Sequence, residues 1–222
     1  MTKLLLALLL LSTSASADVW KTLSESTVWL RGDTAGGTGF AVQTKLGKTF
    51  ILTNEHVCKG QPSFRYHVGA LEVYGMPLAV DEGLDLCLVS LRGKLKPLVV
   101  ADRPPEVGDR LFSRGYPKGH LHETTGVFQG ESIEEGLIFA PGPTCPKRTT
   151  FLLIDPKSMR AQCIQKYMTG HTTLYAAPGA SGSPVLNDNE ELVGVIQTAH
   201  MNGEDSAGII MLNRVKKFLS RY

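Results

Sequence analysis

The strongest signal in the chain is a small-residue turn near the C-terminus, which reads Ala177-Pro178-Gly179-Ala180-Ser181-Gly182-Ser183-Pro184-Val185. A serine flanked by glycines and followed by a proline has little use in a packed core. It is useful where a hydroxyl must stand exposed on a tight turn, with neighbouring backbone N–H groups aimed at an oxygen of a bound molecule. Most Gly/Ser/Pro clusters are ordinary loops, so this interpretation needs support from elsewhere in the chain.

Two upstream segments supply that support. One is Thr53-Asn54-Glu55-His56-Val57-Cys58, and the other is Leu84-Asp85-Leu86-Cys87-Leu88-Val89. A serine hydroxyl is a weak nucleophile unless a base such as imidazole takes its proton. That base needs a carboxylate at its other nitrogen to fix its tautomer, and an aspartate beside an apolar strand is costly to bury without a partner. The sequence therefore predicts a triad of His56 (base), Asp85 (orienting acid) and Ser181 (nucleophile).

The order of the three residues excludes the main competing class of serine hydrolases. In α/β-hydrolases the order is Ser, acid, His, with the serine on a GxSxG elbow. Here the order is His, Asp, Ser, and Ser183 occupies the position of the elbow's last glycine. Because base and acid fall in one half of the chain and the serine in the other, we expect the site between two structural units.

The first 17 residues have the features of a signal peptide. Lys3 is followed by the apolar run Leu4–Leu11 and by the small-residue cleavage pattern Ala15-Ser16-Ala17. Eight apolar residues are too few to span a bilayer, which needs about 20. We therefore expect a secreted or periplasmic protein that begins at Asp18 and has no membrane contact after signal removal.

The four cysteines fit an exported chain, where disulfides persist. We favour the pairs Cys58–Cys87 and Cys145–Cys163, each within one half of the chain; the alternative is buried free thiols. No CxxC spacing indicates zinc, and we predict no metal and no cofactor. The formal net charge is only +2, and no basic-aromatic stripe is present, so we expect no nucleic-acid partner. The oligomeric state stays open.

Turn residues recur every eight to twelve positions between short β-rich runs, which predicts a β-sandwich or barrel. Prolines and charges interrupt this pattern at Ala101–Glu106. We predict a first barrel at about 18–100, a linker at about 101–107 and a second barrel at about 108–212. Apolar residues at 3.6-residue spacing predict a helix at about 213–222, with Asn213 as its cap. A further hairpin is expected around Asp155-Pro156-Lys157-Ser158.

These motifs resemble those of chymotrypsin-fold (trypsin-like) serine peptidases, most closely the bacterial HtrA-like branch without a PDZ domain, and more loosely the glutamyl endopeptidases. The matching segments are Gly37-Thr38-Gly39-Phe40, Ile51–Val57, Asp81 with Leu84-Asp85-Leu86, Val107-Gly108-Asp109, Gly115–Gly119, Gly179–Val185 and Leu192-Val193-Gly194-Val195. The resemblance implies an all-β fold of two antiparallel barrels with a short C-terminal helix.

The resemblance also implies a function: a serine endopeptidase that cleaves polypeptides through an acyl-enzyme intermediate. The backbone N–H groups of Gly179 and Ser181 would form its oxyanion hole. The expected walls of its specificity pocket are Tyr175, Ala176, Ile196, Gln197, Thr198 and Ala199. Ile196 stands where glutamyl-specific relatives have histidine, and Tyr175 stands where Arg/Lys-specific members have aspartate. We therefore expect the pocket to accept a small or medium apolar side chain of the substrate.

Two other functions remain open at this point. Some members of this fold have lost catalysis and act as binding modules, although they usually lack a triad residue. A serine esterase would use the same three groups on an ester substrate.

Overall fold

In the computed structural model, the described residues are 18–139, 149–155, 160–199 and 206–222. The predicted signal peptide, residues 1–17, lies outside them. The described part of the chain is mostly β-strand, arranged as two antiparallel sheets, which confirms the predicted fold class.

The first sheet contains seven strands in the order β5-β4-β1-β2-β3-β7-β6. Only Met76 separates β5 from β6, so the two edges of the sheet adjoin and the sheet must curve towards a barrel. A helix at residues 18–26 (α1) precedes it, and a four-residue helix (α2, Glu55–Cys58) follows β3. The strands are β1 Thr27–Arg31, β2 Gly36–Gln43, β3 Thr49–Thr53, β4 Phe64–Val68, β5 Leu71–Gly75, β6 Pro77–Asp81 and β7 Leu86–Val89.

The second sheet closes on itself, because β10 pairs with both β9 and β12 in the order β10-β9-β13-β14-β15-β12. β11 extends this sheet beyond β12, and β8 runs parallel to β14. β8 falls at the end of the segment predicted as the first barrel (about 18–100), and its strand partner β14 belongs to the second sheet. The strands are β8 Val99–Val100, β9 Arg110–Gly115, β10 His122–Phe139, β11 Thr149–Asp155, β12 Arg160–Thr172, β13 Pro184–Leu186, β14 Glu191–Ala199 and β15 Ala207–Met211.

The two sheets share one apolar core. Phe40 and Leu52 from the first sheet meet Phe112 and Val195 from the second in a single cluster of buried residues. Helix α1 adds Val19 and Leu23 to this cluster, and the C-terminal helix (α3, Leu212–Leu219) adds Phe218. Burial of such side chains contributes about 1.5–3 kcal/mol each. The core therefore fixes the sheets against each other and sets the cleft between them.

The structure contains both the extra hairpin and the C-terminal helix that the sequence predicted. β11 and β12 form the expected extra hairpin, with Asp155 opposite Arg160; its turn, residues 156–159, lies outside the described residues. The C-terminal helix is present, but its N-cap is Met211, so the assignment of Asn213 as the cap is wrong. Asn213 lies inside the first turn because β15 runs directly into the helix.

The predicted disulfide between Cys58 and Cys87 is confirmed. It joins α2 to β7. Cys163 is buried on β12, whereas Cys145 lies outside the described residues, so the second predicted pair stays a prediction.

Candidate active site

The three predicted triad residues lie on segments that the fold brings to the cleft between the sheets. His56 is the second residue of α2, which begins one residue after β3 ends. Asp85 immediately precedes β7, the strand next to β3 in the first sheet. Ser181 lies on the turn before β13 of the second sheet, and its carbonyl accepts a hydrogen bond from Thr38 N of β2 at 2.9 Å.

His56 and Asp85 form a close pair. His56 Nδ1 lies 3.0 Å from each carboxylate oxygen of Asp85, and the backbone N–H of His56 donates to Asp85 Oδ1 at 3.1 Å. The Asn54 amide donates to the Asp85 carbonyl at 3.1 Å. Asp85 has a φ of 54°, a left-handed conformation that costs a non-glycine residue about 1–3 kcal/mol. These hydrogen bonds stabilise it there, with its side chain 13% exposed.

The charge around His56 favours its protonated form. Burial of the ring lowers its pKa, but the hydrogen bond and charge of Asp85, together with the charge of Glu55, outweigh that effect. The net result is a pKa raised above the ordinary value of 6.5. Burial also raises the pKa of Glu55, despite the opposing charge of Lys59. The His56 imidazole therefore binds a proton more tightly than an ordinary histidine does.

The turn that carries Ser181 depends on glycine. Gly182 has a φ of 86°, and a Cβ there would lie 2.1 Å from the Thr38 carbonyl oxygen. Ser181 Oγ donates to the Gln197 carbonyl at 3.2 Å. Within the described residues it makes no hydrogen bond to His56. Hydrogen bonds of this kind are often absent or long without substrate and tighten when substrate binds.

The backbone before Ser181 forms a type II turn. Ala180 N donates to the Ala177 carbonyl at 2.9 Å, with Pro178 at the second position and Gly179 at the third, where its φ is 98°. Lys118 N donates to the Pro178 carbonyl at 2.6 Å. Because C=O and N–H point in opposite directions across a trans peptide, this bond directs the Gly179 N–H away from Lys118. Among the described residues, neither this N–H nor that of Ser181 has an acceptor.

The segment that holds this turn is anchored on the first sheet. The Tyr116 ring stacks on Trp29 of β1 at a centroid distance of 6.0 Å, and Tyr116 N donates to Thr38 Oγ1 at 3.0 Å. Thr38 Oγ1 in turn donates to the Gly179 carbonyl at 3.0 Å. The turn thus carries two N–H groups, those of Gly179 and Ser181, that have no acceptor among the described residues, and N–H groups beside a serine can bind a negatively charged oxygen.

The six predicted pocket residues are spread over different environments. Ala176 and Ile196 are 1% and 2% exposed and pack in the core of the second sheet. Tyr175 is half-buried, with its ring 4.5 Å from that of His122. The side chains of Thr198 and Ala199 lie outside the described ones.

Gln197 has a position that the sequence did not reveal. Its amide Nε2 donates to Asp85 Oδ2 at 2.9 Å, so the side chain contacts the predicted acid. The pairing of β14 with β15 shifts register between Ile196 and Thr198. Such a bulge redirects the side chain it contains, and no local pattern in the sequence signals it.

Arg214 of α3 also lies behind Asp85, donating to the carbonyls of Gly83 and Met168 at 3.3 and 3.2 Å. Burial lowers its pKa, opposed by the charges of Asp85 and Asp81. Across the described ranges, no group of three or more His, Cys, Asp or Glu could hold a metal ion. None of the helices described is long and apolar enough to cross a membrane.

Comparison with known proteins gives a consistent family and fold. Residues 37–195 match the family model described as "Trypsin-like peptidase domain". The structure is similar to the active form of the Rv3671c protease from M. tuberculosis, with a TM-score of 0.72, 18% identity, and coverage of 91% of this chain and 82% of that chain. It is also similar to an inactive form of Rv3671c, with a TM-score of 0.70, 19% identity, and coverage of 92% of this chain and 92% of that chain. A serine endoprotease from Yersinia pestis is similar with a TM-score of 0.64, 16% identity, and coverage of 91% of this chain and 66% of that chain.

Proposed function

The chain belongs to the trypsin-like peptidase family, and on that premise we propose that it is a serine endopeptidase acting through His56, Asp85 and Ser181. The observation that carries this proposal is the pairing of His56 Nδ1 with Asp85 at 3.0 Å; the Ser181 turn adds the N–H groups of Gly179 and Ser181, which have no acceptor among the described residues. In this arrangement a base, its orienting carboxylate and sites for a developing oxyanion occur together.

The proposed reaction begins when a substrate carbonyl enters the cleft. Ser181 Oγ rotates away from the Gln197 carbonyl, gives its proton to His56 Nε2 and attacks the carbonyl carbon. Asp85 holds the Nδ1 proton and stabilises the imidazolium. His56 then protonates the leaving amine, which leaves an acyl ester on Ser181 for water to hydrolyse. Turnover therefore needs His56 neutral at the start of each cycle.

The oxyanion of the tetrahedral intermediate would accept hydrogen bonds from Gly179 N and Ser181 N. The type II turn supports this assignment for Gly179: Lys118 N donates to the Pro178 carbonyl, so the Gly179 N–H points to the other side of that peptide. A single donor of this kind contributes about 2.7–4 kcal/mol to catalysis in comparable sites. Because neither donor has an acceptor among the described residues, binding of the oxyanion would not have to break a hydrogen bond of the turn.

An extracytoplasmic setting is part of the proposal. The Cys58–Cys87 disulfide supports it, because disulfides persist in oxidising compartments. The signal-like features of residues 1–17 point the same way. The substrate is a polypeptide, and Tyr175 and Gln197 are the predicted wall residues whose described side chains are half-buried.

The deciding experiment is labelling with a fluorophosphonate probe, followed by turnover of a denatured protein and of a simple ester. We expect labelling and peptide cleavage in the protein from Asp18 onward, and neither in Ser181→Ala. Ser220→Ala is the matched control, because that hydroxyl is exposed at the C-cap of α3 and donates to the Lys217 carbonyl. No labelling in a folded protein would favour a binding module, and ester turnover without peptide cleavage would favour an esterase.

A further inference from the structure

The Cys58–Cys87 disulfide lies at a particular place relative to the proposed catalytic pair. Cys58 is two residues after His56, and Cys87 is two residues after Asp85. We propose that this disulfide positions His56 against Asp85, so that catalysis requires the oxidised cysteines whereas the two-sheet fold does not. This inference rests on the proposed function of the same site.

The cysteine on the acid side belongs to a rigid element. Cys87 is fully buried on β7, where it pairs with Thr53 of β3 on one side and Val80 of β6 on the other. A strand with neighbours on both sides in a sheet is among the last elements to open locally. Cys87 is therefore a fixed reference two residues from Asp85.

The helix on the base side has little order of its own. α2 spans four residues, Asn54 gives it no side-chain cap, and at its C-terminal end Lys59 N donates to the Glu55 carbonyl. Helices this short are not stable by themselves and depend on tertiary contacts. The His56 side chain is 44% exposed, so packing alone does not hold the ring. The disulfide transmits the rigidity of β7 to α2.

The fold has other supports that reduction leaves in place. Two thiols fill nearly the same buried volume as the disulfide, since a free cysteine behaves as a small apolar side chain. Val57 stays buried beside Gly37, and the shared core of the two sheets contains neither cysteine. We therefore expect reduction to loosen α2 while both sheets remain.

The chemical step is a thiol–disulfide exchange with an added dithiol. One thiolate of the dithiol attacks a sulfur of the pair to form a mixed disulfide, and its second thiolate closes to release it. Two electrons and two protons pass to Cys58 and Cys87, and the dithiol becomes a disulfide.

The test uses a Cys145→Ala/Cys163→Ala variant, in which a dithiol can act only on Cys58 and Cys87. We expect reduction to lower kcat about 10- to 100-fold with little change in KM, because small displacements of catalytic groups have effects of this size. Reoxidation should restore kcat, and circular dichroism should stay constant. The matched control is Cys58→Ala/Cys87→Ala, which should be slow with or without dithiol.

A second readout does not depend on activity. The His56 pKa, followed by NMR titration, should fall towards 6.5 on reduction, because the contribution of Asp85 weakens while Glu55 moves with His56 in the same helix and Arg214, whose charge acts on Asp85, stays in place. An unchanged His56 pKa, or full kcat in the reduced variant, would overturn the proposal, as would loss of kcat only together with the circular dichroism signal. If the oxidised protein takes no fluorophosphonate label, the proposed function fails, and the NMR titration still decides whether the disulfide positions His56.

Discussion

Replacing Gln197 by leucine removes the amide that donates to Asp85 at 2.9 Å and keeps a side chain of similar size. A hydrogen bond to a charged group contributes about 1.5–3 kcal/mol, and about 1.4 kcal/mol corresponds to tenfold in rate. Asp85 keeps its contacts with His56 and is partly reached by solvent. We therefore expect the lower end of the range, a fall of about 10-fold in kcat/KM.

The free energy of unfolding should change far less than the rate. Gln197 Oε1 is buried without a hydrogen-bond partner among the described residues, so leucine also removes an unsatisfied oxygen. The net change should stay within about 1 kcal/mol, since removing the unsatisfied oxygen offsets part of the hydrogen bond that Asp85 loses, and solvent partly reaches Asp85. Thermal unfolding and steady-state kinetics on a peptide substrate separate the two effects.

Gln197→Glu is the matched control for charge. A carboxylate there cannot donate to Asp85 and repels it, so the loss of kcat/KM at neutral pH should exceed that of Gln197→Leu. Unchanged kcat/KM in Gln197→Leu would refute the positioning role. So would a loss of activity that simply follows a loss of thermal stability.

The remaining predictions concern pH and backbone geometry. Because the His56 pKa is raised and the reaction needs neutral imidazole, kcat/KM should fall on the acid side with a midpoint above 6.5; a pH–rate profile that stays flat down to pH 6 in folded protein would contradict this. Gly182→Ala should lower kcat/KM at least about 100-fold and also lower the melting temperature, since its Cβ would lie 2.1 Å from Thr38 O at a φ of 86°. Gly108→Ala, with a φ of 95° and open space around its Cβ, should cost only about 1–2 kcal/mol of stability and no activity.

The sequence predicted the fold class, and it also predicted those candidate residues that lie in short motifs. His56, Asp85 and Ser181 were predicted because each sits in a local pattern that the proposed reaction demands; the structure pairs His56 with Asp85, and the catalytic roles stay a prediction. The Cys58–Cys87 pair was found because both cysteines lie in the same half of the chain. In each case the signal lies within a few residues of the feature.

The features that the sequence missed depend on tertiary geometry. The direction of the Gln197 side chain follows from a bulge in β14, which has no local composition signal. Helix α1 was missed because its Ser- and Thr-containing segment has weak helix propensity and is stabilised by burying Val19 and Leu23. Likewise, Ala176 and Ile196 are buried in the core of the second sheet because of how its strands pair, and the sequence pattern does not reveal that pairing.

Helix α1 also determines when the protein can finish folding. It is the first described segment to be synthesised, yet Thr22 Oγ1 donates to Glu190 and Val19 shares a core with Phe218. Contacts across such sequence separations form late, because closing the intervening loop costs entropy before any contact repays it. A growing chain therefore cannot complete its core until its last helix has been made. Until then the apolar face of α1 lacks Phe218, and the described residues cannot reach their final packing.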